Sequence, residues 1–295
     1  MAFKKAKREQ VWTKTLLVGA SGSGKSYSAL RMATGLAEKC NSDIAVIDTE
    51  AGRIKYYANE FNFDLVTLND YQPETYTEYI EEAINSGYKV IIIDSISHEW
   101  DYCLELNSKL GGRYTDWKNI TPRHEKFRDK ILQSPAHIIC TARGKDEYIL
   151  EERNGKQVPK KVGLGYKQRT DTEYEYTVAF NIAQDTHIAS ATKDNTHIFE
   201  GKYDILTEQS GKALYEWANT GEKVESKNNT ASVSVDDIIK QIGVKAQELI
   251  TNGIEKTDIS QTIKSIAGSA NYKKITNIDI AQNVLEALDN IGGDN

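Results

Sequence analysis

Residues 19–26, with the sequence GASGSGKS, limit the fold of this chain more than any other segment. They follow an apolar run, 15–18, typical of a buried strand, and precede residues 27–33, which have helical spacing. Glycines in such a turn let backbone N–H groups approach phosphate oxygens, and the following helix N-terminus adds positive potential. The pattern predicts a phosphate-binding P-loop. The alternative is a Gly/Ser-rich loop that only turns the chain.

A P-loop gives its polar residues defined roles. Lys25 is expected to reach the β- and γ-phosphates, and the Ser26 hydroxyl is expected to ligate Mg²⁺. The expected cofactors are therefore ATP and Mg²⁺. The residues expected to contact the nucleotide are Gly19, Ser21, Gly22, Ser23, Gly24, Lys25, Ser26 and Tyr27.

Two further apolar runs end in acidic residues. Residues 44–47 precede Asp48-Thr49-Glu50, and residues 90–93 precede Asp94-Ser95. Residues just past the carboxyl ends of parallel strands face the ligand crevice of an open α/β sheet. Asp94 therefore has the pattern of a Walker B aspartate, which serves the Mg²⁺.

The residue after Asp94 is not a candidate for the catalytic base. Residue 95 is Ser, whereas the large AAA+ class usually carries Glu there, so that class is disfavoured. The carboxylate that polarises the attacking water is then expected elsewhere, and Glu50 is placed to supply it. A plain loop carboxylate is the alternative for Glu50.

Three other polar residues could act at the γ-phosphate. Thr141 or Arg143 stands at the end of the strand predicted over residues 137–141, and either could contact the phosphate or cap the strand. Lys193, at the end of a predicted strand, could project across a subunit boundary onto a neighbour's γ-phosphate. A turn lysine is the alternative for Lys193.

Residues 143–170 are polar and contain eight basic and four acidic residues, although the whole chain has 37 basic and 43 acidic residues. A long basic segment beside an ATP site suits contacts with the backbone of single-stranded nucleic acid. The alternative, a β-hairpin that turns at Asn154-Gly155, is compatible with this function. The candidate contacts are Lys160, Lys161, Lys167 and Arg169.

Composition predicts the domains and the compartment. A core of residues 15–219 lies between a basic arm, 1–14, and a polar linker, 220–234, and residues 235–295 have the spacing of a small helical region. The arm is either solvated or bound to phosphate backbone. The three cysteines lack C-x-x-C spacing, and no apolar run could span a membrane, so a soluble intracellular protein is expected.

In order along the chain, the P-loop, Asp48-Thr49-Glu50, Asp94-Ser95, the basic segment and Lys193 resemble the ATPase core of RecA-type recombinases. The chain more closely resembles phage-encoded minimal RecA-like ATPases, often described as AAA-family, of the single-strand annealing and recombination group. This resemblance spans about residues 12–220 and implies an α/β core with a mostly parallel sheet. It implies Glu50 as the water-activating residue and slow, DNA-stimulated ATP hydrolysis.

The same resemblance implies partners and a setting. The protein is expected to form a ring or filament on single-stranded DNA during recombination or replication, in the cytoplasm of a bacterial host cell. The C-terminal helices are expected to bind a phage or host protein. Two other functions also fit the sequence: a P-loop kinase of a small molecule, and a non-enzymatic scaffold whose DNA- or protein-binding shape is fixed by bound ATP.

Overall fold

The computed structural model describes residues 5–153, 156–169, 172–222, 235–251, 253–275 and 277–291. The chain divides into two units, Met1–Lys223 and Val224–Asn295. The strands of the first unit are β1 (Lys14–Gly19), β2 (Ile44–Asp48), β3 (Asp64–Thr67), β4 (Val90–Asp94), β5 (His137–Arg153), β6 (Lys156–Tyr166), β7 (Val178–Ile182), β8 (Ala189–Asp194) and β9 (Tyr203–Asp204). Its helices are α1 (Lys25–Cys40), α2 (Pro73–Asn85), α3 (Ser97–Lys109), α4 (Trp117–Gln133) and α5 (Glu208–Ala218).

The sheet has the strand order β3-β2-β4-β5-β1-β7-β8-β9, with β6 paired to β5. Strands β1 to β5 and β7 run parallel, whereas β8, β9 and β6 pair antiparallel with their neighbours. The structure confirms the predicted α/β fold, a RecA-like P-loop core with a mostly parallel sheet.

The central strands carry apolar side chains on both faces, so helices pack against both faces of the sheet. Leu17 packs with Leu30 of α1 and Leu214 of α5 on one face. Its neighbour Leu16 packs with Tyr76 of α2 and Phe127 of α4 on the other. Successive residues of a strand point to opposite faces, so an unbroken apolar run is the pattern of a strand buried on both sides.

Helices α1 and α5 approach each other closely at two glycines. A Cβ at Gly35 would lie 1.9 Å from the carbonyl oxygen of Glu208, and a Cβ at Gly211 would lie 2.0 Å from that of Met32. No side chain fits at either position without separating the helices.

Strand register brings the carboxyl ends of four strands to one edge of the sheet. Asp48 lies opposite Asp94, and Gly19 at the end of β1 lies opposite Arg143 of β5. Since Ile93 pairs with Cys140, Asp94 lies beside the next residue of β5, Thr141. The sheet therefore gathers the P-loop and the predicted acidic residues at one place.

Two predicted elements differ from the structure. Residues 173–182 have apolar residues two apart, which predicts a strand over the whole segment, but the strand begins only at Val178, and Thr172–Glu175 form a 3-10 turn. Tyr174 and Tyr176 would share one face of a strand, but Tyr174 is exposed and Tyr176 is buried. Strand β5 continues well past Thr141, because its outer part pairs with β6 from Gly144 onward. The structure therefore has the hairpin alternative, and the Asn154-Gly155 turn lies outside the described residues.

The second unit contains α6 (Val235–Thr251), α7 (Lys256–Ala267) and α8 (Ile278–Ile291). Its buried core is aliphatic and includes Ile242, Ile263 and Leu288. Across the described parts of both units, no helix is long and apolar enough to cross a membrane.

Candidate active site

The P-loop joins β1 to α1 in the conformation that its glycines predict. Gly22 and Gly24 have φ angles of 78° and 87°, in the left-handed region, which residues with a Cβ rarely adopt. The Lys25 ammonium donates a hydrogen bond to the carbonyl oxygen of Ala20, at 2.8 Å, and so folds over the loop. The buried Ser23 hydroxyl has no hydrogen-bond partner among the described residues. Gly22, Gly24 and Lys25 line the cleft, and backbone N–H groups beside a cation fit a phosphate group.

The segment after β7 supports the P-loop from outside. Gln184 Nε2 donates to the carbonyl oxygen of Ser21 at 2.9 Å, and His187 Nδ1 lies 3.0 Å from the carbonyl oxygen of Ser23. Sequence reasoning missed both residues. The sequence holds only an indirect signal for them: the segment that follows β7 must pass the P-loop, because β7 lies next to β1 in the sheet.

Asp94 lies directly under the P-loop helix. The Ser26 hydroxyl donates to Asp94 Oδ2 at 2.5 Å, and the Thr141 hydroxyl donates to Asp94 Oδ1. Burial raises the pKa of the Asp94 carboxyl, and these two hydrogen bonds oppose that shift. A serine hydroxyl and a carboxylate beside a phosphate cradle are oxygen ligands of the kind that Mg²⁺ takes in nucleotide sites. Ser26 and Asp94 therefore fit the predicted metal pair, and Thr141 contacts the aspartate.

A tight turn after β2 places Glu50 at the mouth of the cleft. The Asp48 carboxylate accepts hydrogen bonds from the backbone N–H groups of Glu50, at 3.2 Å, and Gly52, at 2.5 Å. Ser95 Oγ donates to Glu50 Oε1 at 3.2 Å. The residue that replaces the usual AAA+ glutamate thus holds the carboxylate of Glu50.

Arg143 pairs with Glu50 through two parallel hydrogen bonds. Its Nε and Nη2 atoms lie 2.9 and 2.7 Å from the two carboxylate oxygens. Burial alone raises the pKa of Glu50, but the hydrogen bonds and charge of Arg143 outweigh it, so the pKa lies below its ordinary value. Glu50 is therefore ionised and oriented. The sequence left Thr141 and Arg143 as alternative contacts of the γ-phosphate. In the structure Thr141 contacts Asp94, whereas Arg143 contacts Glu50.

The pKa of Lys25 lies below its ordinary value because its ammonium group is partly buried in this site. Burial lowers the pKa of its ammonium, while the charges of Asp94 and Glu50 raise it and that of Arg143 lowers it. A bound polyphosphate would add negative charge beside Lys25 and stabilise its protonated form.

Lys193 lies at the opposite edge of the sheet from the P-loop. In the β7–β8 pair it is opposite Ala179, whereas Ile182 of β7 is level with Gly19. Its ammonium donates to the carbonyl oxygen of Tyr174. Because β8 runs antiparallel, the end of this strand points away from the crevice, and Lys193 is not among the residues that line the cleft of its own chain. Its action on a neighbour's nucleotide stays a prediction.

The basic candidates lie on or after the β5–β6 hairpin. Lys160 and Lys161 are opposite Ile149 and Tyr148 in its backbone pairing, and their side chains are outside the described structure. Lys167 forms an ion pair with Asp101 on α3, at 2.8 Å.

The P-loop opens into a cavity of about 630 Å³ that also contains Glu50, Asp94 and Arg143. Its lining also includes Tyr56 and Tyr57. This volume is within the usual range for small-molecule sites, roughly 300–1,000 Å³. The cleft thus combines phosphate-binding, carboxylate and aromatic groups.

Comparison with solved structures finds a likeness to a KaiC-like protein from the hyperthermophilic archaeon Pyrococcus horikoshii OT3. The two are 17% identical over 65% of this chain and 82% of that one, with a TM-score of 0.37. Comparison with curated protein sequences gives no match.

A model of the family described as AAA domain matches residues 13–228. That span contains the P-loop, Asp48-Thr49-Glu50 and Asp94-Ser95. The Ser at position 95, in place of the usual Glu, disfavours the large AAA+ class, yet the matching family is described as an AAA domain. In this chain the carboxylate next to Ser95 is that of Glu50. The chain belongs to this AAA domain family of P-loop, nucleotide-binding ATPases.

Proposed function

We propose that this protein hydrolyses ATP with Mg²⁺ and uses the cycle to anneal or pair single-stranded DNA during recombination or replication. The observation that carries the enzymatic part is the meeting of Lys25, Ser26, Asp94 and Glu50 in one cleft.

The residues divide the work of hydrolysis. The P-loop amides and Lys25 hold the phosphates, and Ser26 and Asp94 hold the cation. A bound Mg²⁺ supplies neutralising charge at the phosphate oxygens. Glu50 orients and polarises the attacking water, and Arg143, on the same side of the cleft, contacts the γ-phosphate.

The aromatic wall of the cleft favours a nucleoside triphosphate over a bare polyphosphate. Tyr56 is 80% exposed beside the phosphate cradle, and Tyr57 packs edge to face against Tyr27 at 5.3 Å. Exposed aromatic rings of this kind stack on nucleobases. We assign the base of ATP to this wall.

The support for single-stranded DNA is the position and charge of the hairpin. Residues 143–170 carry a net positive charge in an acidic chain. Strand β5 runs without a break from Thr141, which contacts Asp94, through Arg143, which contacts Glu50, into the hairpin. A change at the phosphate can therefore reach the basic segment along one strand.

Assembly and location complete the proposal. A ring or filament of this protein on DNA, in the cytoplasm of a bacterial host, would bring Lys193 to a neighbour's nucleotide, and the C-terminal helices would bind a phage or host recombination protein.

The test is the ATPase rate of the full chain against added single-stranded DNA, with assembly size measured in parallel and Lys25→Ala as the inactive control. Stimulation by single strands, together with growth in size, supports the proposal. Phosphate transfer to nucleosides would instead indicate a kinase. ATP binding without turnover, with or without DNA, would indicate a scaffold.

A further inference from the structure

A second pocket, of about 710 Å³, lies beside the segment that follows the β5–β6 hairpin. Aromatic and basic side chains line it: Trp100, Tyr114, Trp117, Lys118 and Arg169. None of these residues belongs to the ATP cleft.

The aromatic rings present stacking surface to solvent. Trp100 and Trp117 stack on each other with ring centroids 5.4 Å apart and planes 22° apart. Tyr114 is 92% exposed, and it lies on a short 3-10 turn, Tyr114–Asp116. Ion pairing between Arg113 and Asp116 holds that turn. A large ring kept in water on an ordered turn is the surface that a planar ligand would cover.

Cations lie beside the rings. Lys118 is exposed and makes no ion pair in the part of the chain that the structure describes. The guanidinium of Arg169 lies 3.9 Å from the Glu125 carboxylate and is partly exposed. Rings flanked by cations suit a ligand with flat bases and a phosphate backbone better than an apolar peptide, which carries no charge to meet that of Lys118.

The pocket is connected to the ATP cleft through short contacts. The backbone N–H of Lys167 donates to the carbonyl oxygen of Arg143 at 2.8 Å. Gln168 Nε2 donates to the carbonyl oxygen of Ile96, at 3.1 Å, and the helix that carries Trp100 begins at Ser97. Residues 167–169 therefore connect Arg143, which lines the ATP cleft, to this pocket, which Arg169 lines.

We propose that this pocket binds an unpaired base of single-stranded DNA, stacked on Tyr114 and Trp117, with the adjoining phosphates at Lys118 and Arg169. The proposal rests on the proposed function and assigns it a base-binding site separate from the hairpin. Stacking tolerates any base, so binding here is independent of sequence.

The test uses the full chain with a fluorescein-labelled oligothymidylate in binding titrations with ATP and Mg²⁺. Loss of one stacked base predicts that Tyr114→Ala weakens binding by roughly 5- to 100-fold, while Tyr114→Phe keeps near wild-type affinity. The matched control is Tyr203→Ala, which removes a tyrosine that is 69% exposed on β9 and outside the pocket. Trp117→Ala is expected to weaken binding as well, and the exposed Tyr114 carries the test if that variant does not fold.

Salt dependence separates the stacking and phosphate contacts. Tyr114→Ala should keep the wild-type slope of log affinity against log salt. Lys118→Ala should make that slope shallower by about 1, the amount that corresponds to one lost phosphate contact. If the wild type binds the oligonucleotide and Tyr114→Ala binds equally well, the pocket assignment is wrong and the proposed function stands. If the wild type binds no single-stranded DNA, both are wrong.

Discussion

Replacing Glu50 with Gln tests whether this carboxylate is a catalytic group or only half of a structural ion pair. The amide has almost the same shape, so it can still accept the hydrogen bond from Ser95 and one from Arg143. What it loses is the negative charge and the ability to polarise water. The two roles therefore predict different results for the same substitution.

The expected sizes of the two effects are far apart. Loss of a general base lowers turnover by about 10²- to 10⁴-fold, or roughly 3–5 kcal/mol in activation free energy. The structural loss is small, because the side chain of Arg143 is 42% exposed and that of Glu50 is 17% exposed. Solvent screening limits such a pair to about 1 kcal/mol or less of the free energy of unfolding.

The assay measures kcat, nucleotide affinity and the thermal midpoint on the same preparations. Glu74→Gln is the matched control, since Glu74 also pairs with an arginine, Arg123, through two hydrogen bonds of 2.7 and 2.6 Å. We expect Glu50→Gln to bind ATP normally, to melt within a few degrees of the wild type and to lose turnover. A kcat equal to that of Glu74→Gln would remove Glu50 from the mechanism.

Three further predictions follow from the contacts described above. Arg143→Ala removes the group that lowers the pKa of Glu50 and leaves the burial that raises it, so the acid limb of the kcat–pH profile should move to higher pH; an unmoved limb contradicts this. Burial lowers the pKa of Lys14 from 10.5 to about 7, so this side chain holds one more proton in the unfolded chain between these values and contributes a rise in stability with pH of about 1.4 kcal/mol per unit. Urea unfolding at two pH values should show that Lys14→Met loses this slope, and an unchanged slope would disprove the assignment. Gly211→Ala should lower the free energy of unfolding by about 1–3 kcal/mol, because its Cβ would meet the carbonyl oxygen of Met32; stability equal to the wild type in urea titrations would contradict the close helix packing.

Local signals explain which parts of the structure could be predicted from the sequence. The runs of β1, β2 and β4 are short, apolar and ended by Gly or Asp, so their burial follows from the residues themselves. Because parallel strands end at one edge, Asp48, Asp94 and the P-loop could be placed together without knowing the strand order.

The missed features depend on pairing between distant segments. The contact between Glu50 and Arg143 requires the position of β5 in the sheet, and the support of Ser23 by His187 requires that β7 lie next to β1. The sequence placed Lys193 at the end of a strand but not the direction of that strand, because parallel and antiparallel strands can have the same alternating pattern. The hydrophobic periodicity of a single sequence predicts the type of each element, but not which elements lie next to each other.

The length of β5 has a mechanical consequence. Ten residues separate Arg143 from Arg153 along the strand, a span of about 33 Å at about 3.3 Å per residue. A tilt of only about 5° about Arg143 would displace the far end by about 3 Å, close to one residue step. Under the proposed function, such a tilt would move a bound nucleic acid by a distance that grows with the length of the hairpin. Shortening the two strands in register should then reduce that distance and leave the rate of hydrolysis in the absence of DNA unchanged.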